Sequence, residues 1–219
     1  AGHAEIAKVT LKTLRGIWTP NTRIVPIDVT LQTVIKRASP DDKSLWFHPR
    51  VVLANDDQIV MTVQKHLGRS DHYSGLSTMQ TNDFGKSWDG PKQQDALDWV
   101  SETGGVNVAV ADVTPGFHKP TGQVIAIGAQ VRYSTTGAQL DDRKRSNQTA
   151  YSVRDQDGTW SVWKRLEMPE DNQFDFARSA CAQWIVEDDG TLLLPFYIGT
   201  GTEAPFASTI VHCSFDGEN

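Results

Sequence analysis

The chain has 219 residues, 38% of them hydrophobic and 22% charged, proportions of a folded globular protein rather than a disordered one. A formal charge of −6 argues against a nucleic-acid backbone as the main partner, because displacing its counterions takes a basic surface. No stretch reaches the ~18 consecutive apolar residues of a membrane helix, and residues 1–10 lack the basic-then-apolar order of a signal peptide. Neither nucleic acid nor membrane is an expected partner.

In chain order, the first run with strand character is IAKVTLKTL (6–14). RVVLA (50–54), the turn Asn55-Asp56-Asp57 and QIVMTV (58–63) read as a hairpin, followed by a third strand GLSTMQT (75–81). The same order returns in VNVAVADV (106–113), Pro120-Thr121-Gly122, QVIAIGAQV (123–131) and TAYSVR (149–154). It returns again in ACAQWIVE (180–187), Asp188-Asp189-Gly190, TLLLPFY (191–197) and STIVHCS (208–214). The hairpin turns recur about every 64 to 68 residues, a period that suits a four-stranded propeller blade with loop insertions. Helical periodicity is nearly absent, so the expected class is all-β.

Two local features carry little chemistry. The basic run Arg143-Lys144-Arg145 sits in a polar stretch and reads as a solvated loop. Cys181 and Cys213 fall on the first and third strands of one expected sheet, roughly 9 to 10 Å apart. That exceeds the ~7 Å Cα limit of a disulfide, so two free thiols are expected, with no bearing on compartment.

Thr81-Asn82-Asp83-Phe84-Gly85-Lys86-Ser87-Trp88 follows a third strand and precedes a fourth. As a hairpin connection it has folding roles to fill: Asp83 accepts turn N–H groups, Gly85 takes positive φ, Ser87 adds a hydroxyl bond, and Trp88 buries its ring between sheets. This segment resembles the Asp-box, S/T-x-D-x-G-x-S/T-W, of sialidase-type β-propellers, at every specified position. A degenerate copy runs from Val153 to Trp160 through Asp155, with Asp157 in the glycine position and Gly158 taking the tight turn. A third begins at Ser214-Phe215-Asp216-Gly217-Glu218-Asn219.

The resemblance implies a six-bladed propeller, of which this chain holds about three to three and a half blades. Residues 1–45 would be a closing strand and lead-in, 46–100 blade one, 101–170 blade two, and 171–219 an incomplete blade three. In that family an arginine triad holds the substrate carboxylate, an aspartate is the acid/base, and a tyrosine paired with a glutamate is the nucleophile. Phe47-His48-Pro49-Arg50 is similar to the F/Y-R-I-P motif, with proline before the arginine rather than after, so Arg50 is the implied carboxylate ligand. Asp71 falls where the catalytic acid/base stands. Arg69, Lys65, His66 and His48 would line the mouth, and Arg178 and Tyr197 would contact substrate from blade three. The nucleophile, its glutamate and two more arginines would come from beyond Asn219. The remaining blades would belong to the rest of the protein or to a second chain, and this chain alone is expected to be inactive. The implied function is a sialidase-like glycoside hydrolase acting on sialic acid or a related acidic glycan, in a secreted or periplasmic setting.

Each residue also has a plain structural reading. Arg50 would be a strand-start arginine paired with a surface acid, Asp71 a solvated loop residue, Tyr197 an aromatic at a strand end. Two other functions compete. A propeller polysaccharide lyase would use His48, His66, His72 and Tyr73 with Arg50 to remove the proton α to a uronate carboxylate. A carbohydrate-binding propeller would keep the boxes and lack catalysis. His66 and His72 have no ligand spacing, so no metal or cofactor is expected beyond an allowed structural Ca²⁺.

Overall fold

The computed structural model describes residues 8–10, 28–30, 35, 45–68, 72–140, 149–179, 182–200 and 206–218. The chain divides into two compact units, 1–38 and 39–219. In the first, β1 (Lys8–Thr10) pairs antiparallel with β2 (Asp28–Thr30), Val9 opposite Val29.

The second unit is built of three antiparallel sheets. Sheet one is a meander of β3 (Leu45–Leu53), β4 (Ile59–His66), β5 (Tyr73–Thr81) and β6 (Asp89–Gln93). Sheet two contains β7 (Val100–Glu102), β8 (Val106–His118), β9 (Gln123–Tyr133), β10 (Thr149–Arg154) and β11 (Lys164–Arg165), with β7 added outside β8. In sheet three, β12 (Phe176–Arg178) and β13 (Ile185–Val186) both pair with β14 (Leu192–Gly199), which pairs with β15 (Ala207–Cys213). No helix among the described residues is long and apolar enough to cross a membrane.

The sheets pack face to face in chain order, as propeller blades do, and β9 shows why. Its Val124 and Ala126 join Val60 and Leu76 of sheet one in one core, while Ile125 and Ile127 join Leu192, Leu194 and Phe196 of sheet three in another. Burial on both faces explains why QVIAIGAQV is apolar almost throughout instead of alternating with polar residues. Each fully buried aliphatic side chain contributes about 1.5–3 kcal/mol, so the two cores bind the stack.

The hairpin turns close as their residues foretell. The Asn55 side chain accepts from Gln58 N–H at 3.0 Å, and Asp189 accepts from Thr191 N–H at 2.8 Å. In the box segment Asp83 gathers three donors: Thr81 hydroxyl at 2.7 Å, Ser87 amide at 2.9 Å and Ser87 hydroxyl at 2.7 Å. The Ser87 amide, then the Ser87 and Thr81 hydroxyls, hold its carboxyl down at about 2. Gly85 takes φ +81° beneath the Trp88 indole.

Three expectations need correction. Trp88 is only half-buried, and it is Trp160 that sinks into the core between sheets one and two. In the second copy Asp155 does not grip the turn; it accepts from Gln123 Nε2 at 2.8 Å, and Asp157 takes the Thr159 amide at 2.8 Å. With Asp157 in the glycine position, a carboxylate already sits next to that amide and supplants the one two residues earlier. Asp216 likewise makes a local turn, accepting from Glu218 N–H at 2.9 Å. The third correction concerns 180–187, which is not one strand: pairing with β14 stops at Arg178 and resumes at Ile185. Between them Trp184 buries itself, its indole N–H donating to the Thr114 carbonyl at 3.0 Å in sheet two. Cys213 is free on β15, half-buried; Cys181 and the basic run 143–145 lie outside the described residues.

Candidate functional site

Antiparallel pairing sorts the connections. Leu45 lies opposite His66, Asn107 opposite Tyr133, and Phe176 opposite Gly199. The starts of the three first strands therefore share one end with the second-to-third strand connections, and the hairpin turns and box segments occupy the other.

Near that first end each first strand leaves its ladder at the same register. The break falls between Phe47 and Arg50 on β3, between Ala111 and Thr114 on β8, and between Arg178 and Ile185 in sheet three. The residues opposite the last regular pair are Gln64, Ala129 and Tyr197, each at the same remove from its hairpin turn. A bulge re-aims the side chain of its extra residue. On β3 and β8 these residues are His48 and Asp112, both left-handed, with φ of 52° and 55°. For a residue with a Cβ that conformation costs roughly 1–2 kcal/mol.

The two bulges meet. His48 Nδ1 stands 3.2 Å from Asp112 Oδ1, with both side chains 23% exposed. The contact has ion-pair distance without hydrogen-bond alignment, and neither atom has another partner among the described residues. Around His48 lies an aromatic wall: Tyr73 at 5.2 Å between ring centroids, His66 at 5.9 Å from Tyr73, and Phe47 at 5.1 Å from His66. Tyr73 is pinned through its backbone, its amide donating to Tyr133 Oη at 3.3 Å and its carbonyl accepting from Trp99 Nε1 at 2.9 Å.

Arg50 shares a sheet face with its cross-strand partner Thr62. That face is turned to sheet two, since Thr62 Oγ1 donates to the Val113 carbonyl at 3.2 Å and Gln64 Nε2 to that of Val110 at 2.8 Å. These two carbonyls bracket Asp112, so Arg50 looks towards the same strand segment. The surface acid expected to pair with it does not exist among the described residues: its Nε is buried and nothing accepts from it. Arg178 donates from Nη2 to the Gln130 carbonyl at 3.0 Å and lies opposite Tyr197, while its own Nε is also buried and unpartnered. Tyr197 packs in turn on Phe176 and Phe206. Arg178 stands one step before the break, in the position of Phe47 and Ala111 rather than that of Arg50, so the two guanidinium groups issue from different levels.

The fold thus gathers His48, His66, Tyr73 and Arg50 in sheet one and Arg178 with Tyr197 in sheet three. Lys65 turns aside, its ammonium 5.1 Å over the Trp46 ring, and His72 packs against Trp99 and Tyr133. Asp71 and Arg69 lie outside the described residues. Among the described residues no group of three acidic, histidine or cysteine side chains is placed to hold a metal ion. Asp112 is the residue the sequence reading overlooked. Its signal was a lone acid in the apolar run VNVAVADV, on a strand buried on both sides.

No family model and no curated protein matches this sequence. Among solved structures, an endo-arabinase from Bacteroides thetaiotaomicron VPI-5482 overlays with a TM-score of 0.46 and 10% identity, covering 87% of this chain and 62% of that one. An exo-beta-1,3-galactanase from Clostridium thermocellum overlays with a TM-score of 0.44 and 14% identity, covering 75% and 37%. The chain spans less than two thirds of the length of either.

Proposed function

We propose that the protein is a glycoside hydrolase of sialidase-like form acting on an acidic glycan, and that this chain supplies one part of its site. The observation that carries the reading is Arg50: a partly buried guanidinium, turned towards a neighbouring sheet, with no acceptor among the described residues. An unpaired buried cation is costly, and a carboxylate arriving with a ligand removes that cost through bidentate bonds. Arg178, anchored at one Nη and with a buried unpartnered Nε, extends the cationic lining from sheet three. In this reading Asp71 supplies the proton for the leaving oxygen, Tyr197 and His66 border the sugar, and further blades complete the pocket.

A second reading, elimination from a uronate, is favoured by one contact, the 5.2 Å approach of the His48 and Tyr73 rings, which sets a base beside a phenol. One screen of the complete protein separates them. Release of the phenol from aryl sialosides supports hydrolysis, whereas growth of the unsaturated-uronate absorbance from uronate polymers supports elimination. Binding of acidic glycans without either product would leave a lectin-like propeller.

A further inference from the structure

We propose that Phe47, braced by His66, is a stacking shelf for the leaving sugar of the acidic glycan, an assignment that rests on the hydrolase reading above. Phe47 lies opposite Gln64 in the β3–β4 ladder and so shares its face, the one from which Gln64 Nε2 donates to the Val110 carbonyl of sheet two. Arg50 lies opposite Thr62 on that same face. One side-chain step, ~7 Å, separates the two, with Arg50 on the hairpin-turn side and Phe47 nearer the end where the first strands start. A ligand whose carboxylate meets Arg50 and which reaches solvent at that end passes over Phe47.

Phe47 is 38% exposed although its face is turned to a neighbouring sheet, and Leu45, opposite His66, and Leu67, next to it, are exposed as well. Apolar side chains exposed singly are ordinary, whereas three gathered round one histidine at the mouth of a site make a contact patch. A further blade does not account for Phe47. Packed on the outside of sheet one, such a blade would meet the opposite face, where Trp46 and Lys65 pair. The Phe47 ring is also held in place. It lies 5.1 Å from His66 at an interplanar angle of 31° and 5.8 Å from His48 at 87°, and His66 Nδ1 accepts from the Gly68 amide at 3.3 Å. A ring braced by two others loses little side-chain freedom when a ligand covers it.

The connection from His66 to Tyr73 carries Asp71, to which the hydrolase reading gives the proton for the leaving oxygen. The Leu67 amide donates to the His72 carbonyl at 2.8 Å, closing that connection at its base, and the His66 and Tyr73 rings stand 5.9 Å apart. The acid is thus carried by the same ends of β4 and β5 that border the shelf, so the leaving oxygen and Phe47 fall at one end of the site. The C–H face of a pyranose is the surface a flat aromatic ring covers, taking apolar area of both out of water. Such a contact touches a part of the substrate that does not react, and its binding energy is realised in the transition state.

The test compares, in the complete protein, two substrates built on one acidic sugar: its glycosyl fluoride, whose leaving group is too small to reach the shelf, and its glycoside with a hexose. The readout is kcat/KM for the hexose glycoside divided by kcat/KM for the fluoride, a ratio from which any loss of folded protein cancels. Phe47→Ala and Phe47→Leu should each lower that ratio about tenfold or more, leucine because it keeps apolar bulk without a flat face. Phe47→Tyr should hold it within about threefold. A ratio unchanged in Phe47→Ala and Phe47→Leu, or lowered as far in Phe47→Tyr, would overturn the shelf and spare the hydrolase reading. Cleavage of no acidic glycoside or fluoride by the wild type would reject both.

Discussion

Trp184 interrupts the first strand of sheet three, and Gly116 on β8 is what lets it do so. A Cβ built at residue 116 would lie 2.4 Å from the Cη2 atom and 2.5 Å from the Cζ2 atom of that indole. Ordinary contact begins near 3.4 Å, so Gly116→Ala requires the ring to retreat by the difference, 1.0 Å. Trp184 is 4% exposed and donates to Thr114 at 3.0 Å, so the retreat both overpacks the core and stretches a buried hydrogen bond. Overpacking costs about 1–3 kcal/mol and the bond about 1 kcal/mol more, for a sum of roughly 2–4 kcal/mol. The atoms struck belong to the outer ring of the indole, which phenylalanine lacks. In a Trp184→Phe background the same Gly116→Ala change should therefore cost under about 1 kcal/mol, leaving a coupling of at least about 1 kcal/mol. Denaturant melts of the four proteins measure it. Equal costs in both backgrounds would show that Gly116 does not make room for Trp184, and with it would go the account of why 180–187 is not one strand.

Three further outcomes follow from single groups. Arg50→Ala should raise KM for an acidic glycoside at least tenfold while leaving a neutral analogue within about twofold, and equal effects would refute carboxylate recognition. Asp83, held at about 2 against an ordinary 3.8, favours the folded state above pH 3.8, and this contribution is lost as pH falls from there through about 2. The Ser87 amide resonance should titrate with a midpoint near 2, and Asp83→Ala should abolish that titration; a midpoint near 4 would mean the turn bonds do not form. Burial pushes the Cys213 thiol up, so its alkylation at pH 8, mapped by peptide mass, should run slower than that of a free small thiol. An equal rate would place it in open solvent.

The hairpins were legible because their causes are local. Asn55, Gly122 and Gly190 announce turns, and β-branched runs on either side announce strands, whatever lies across the sheet. The box turn was legible for the same reason, since Thr81, Asp83, Gly85 and Ser87 satisfy one another within seven residues. His48, Arg50 and Arg178 could be picked out by resemblance, but only the ladder shows that Arg178 stands before its break and Arg50 after.

What the sequence determined by itself was therefore an all-β chain of repeated antiparallel hairpins, with turn chemistry that closes each one. Only the tertiary structure decided where the first strands break, which tryptophan enters a core, and that His48 meets Asp112 across 63 intervening positions of chain. The physical reason is that turn formation depends on neighbours a few bonds away, whereas a bulge forms when the facing sheet rewards the displaced side chain with a partner. Such rewards come from residues that sequence order keeps far apart.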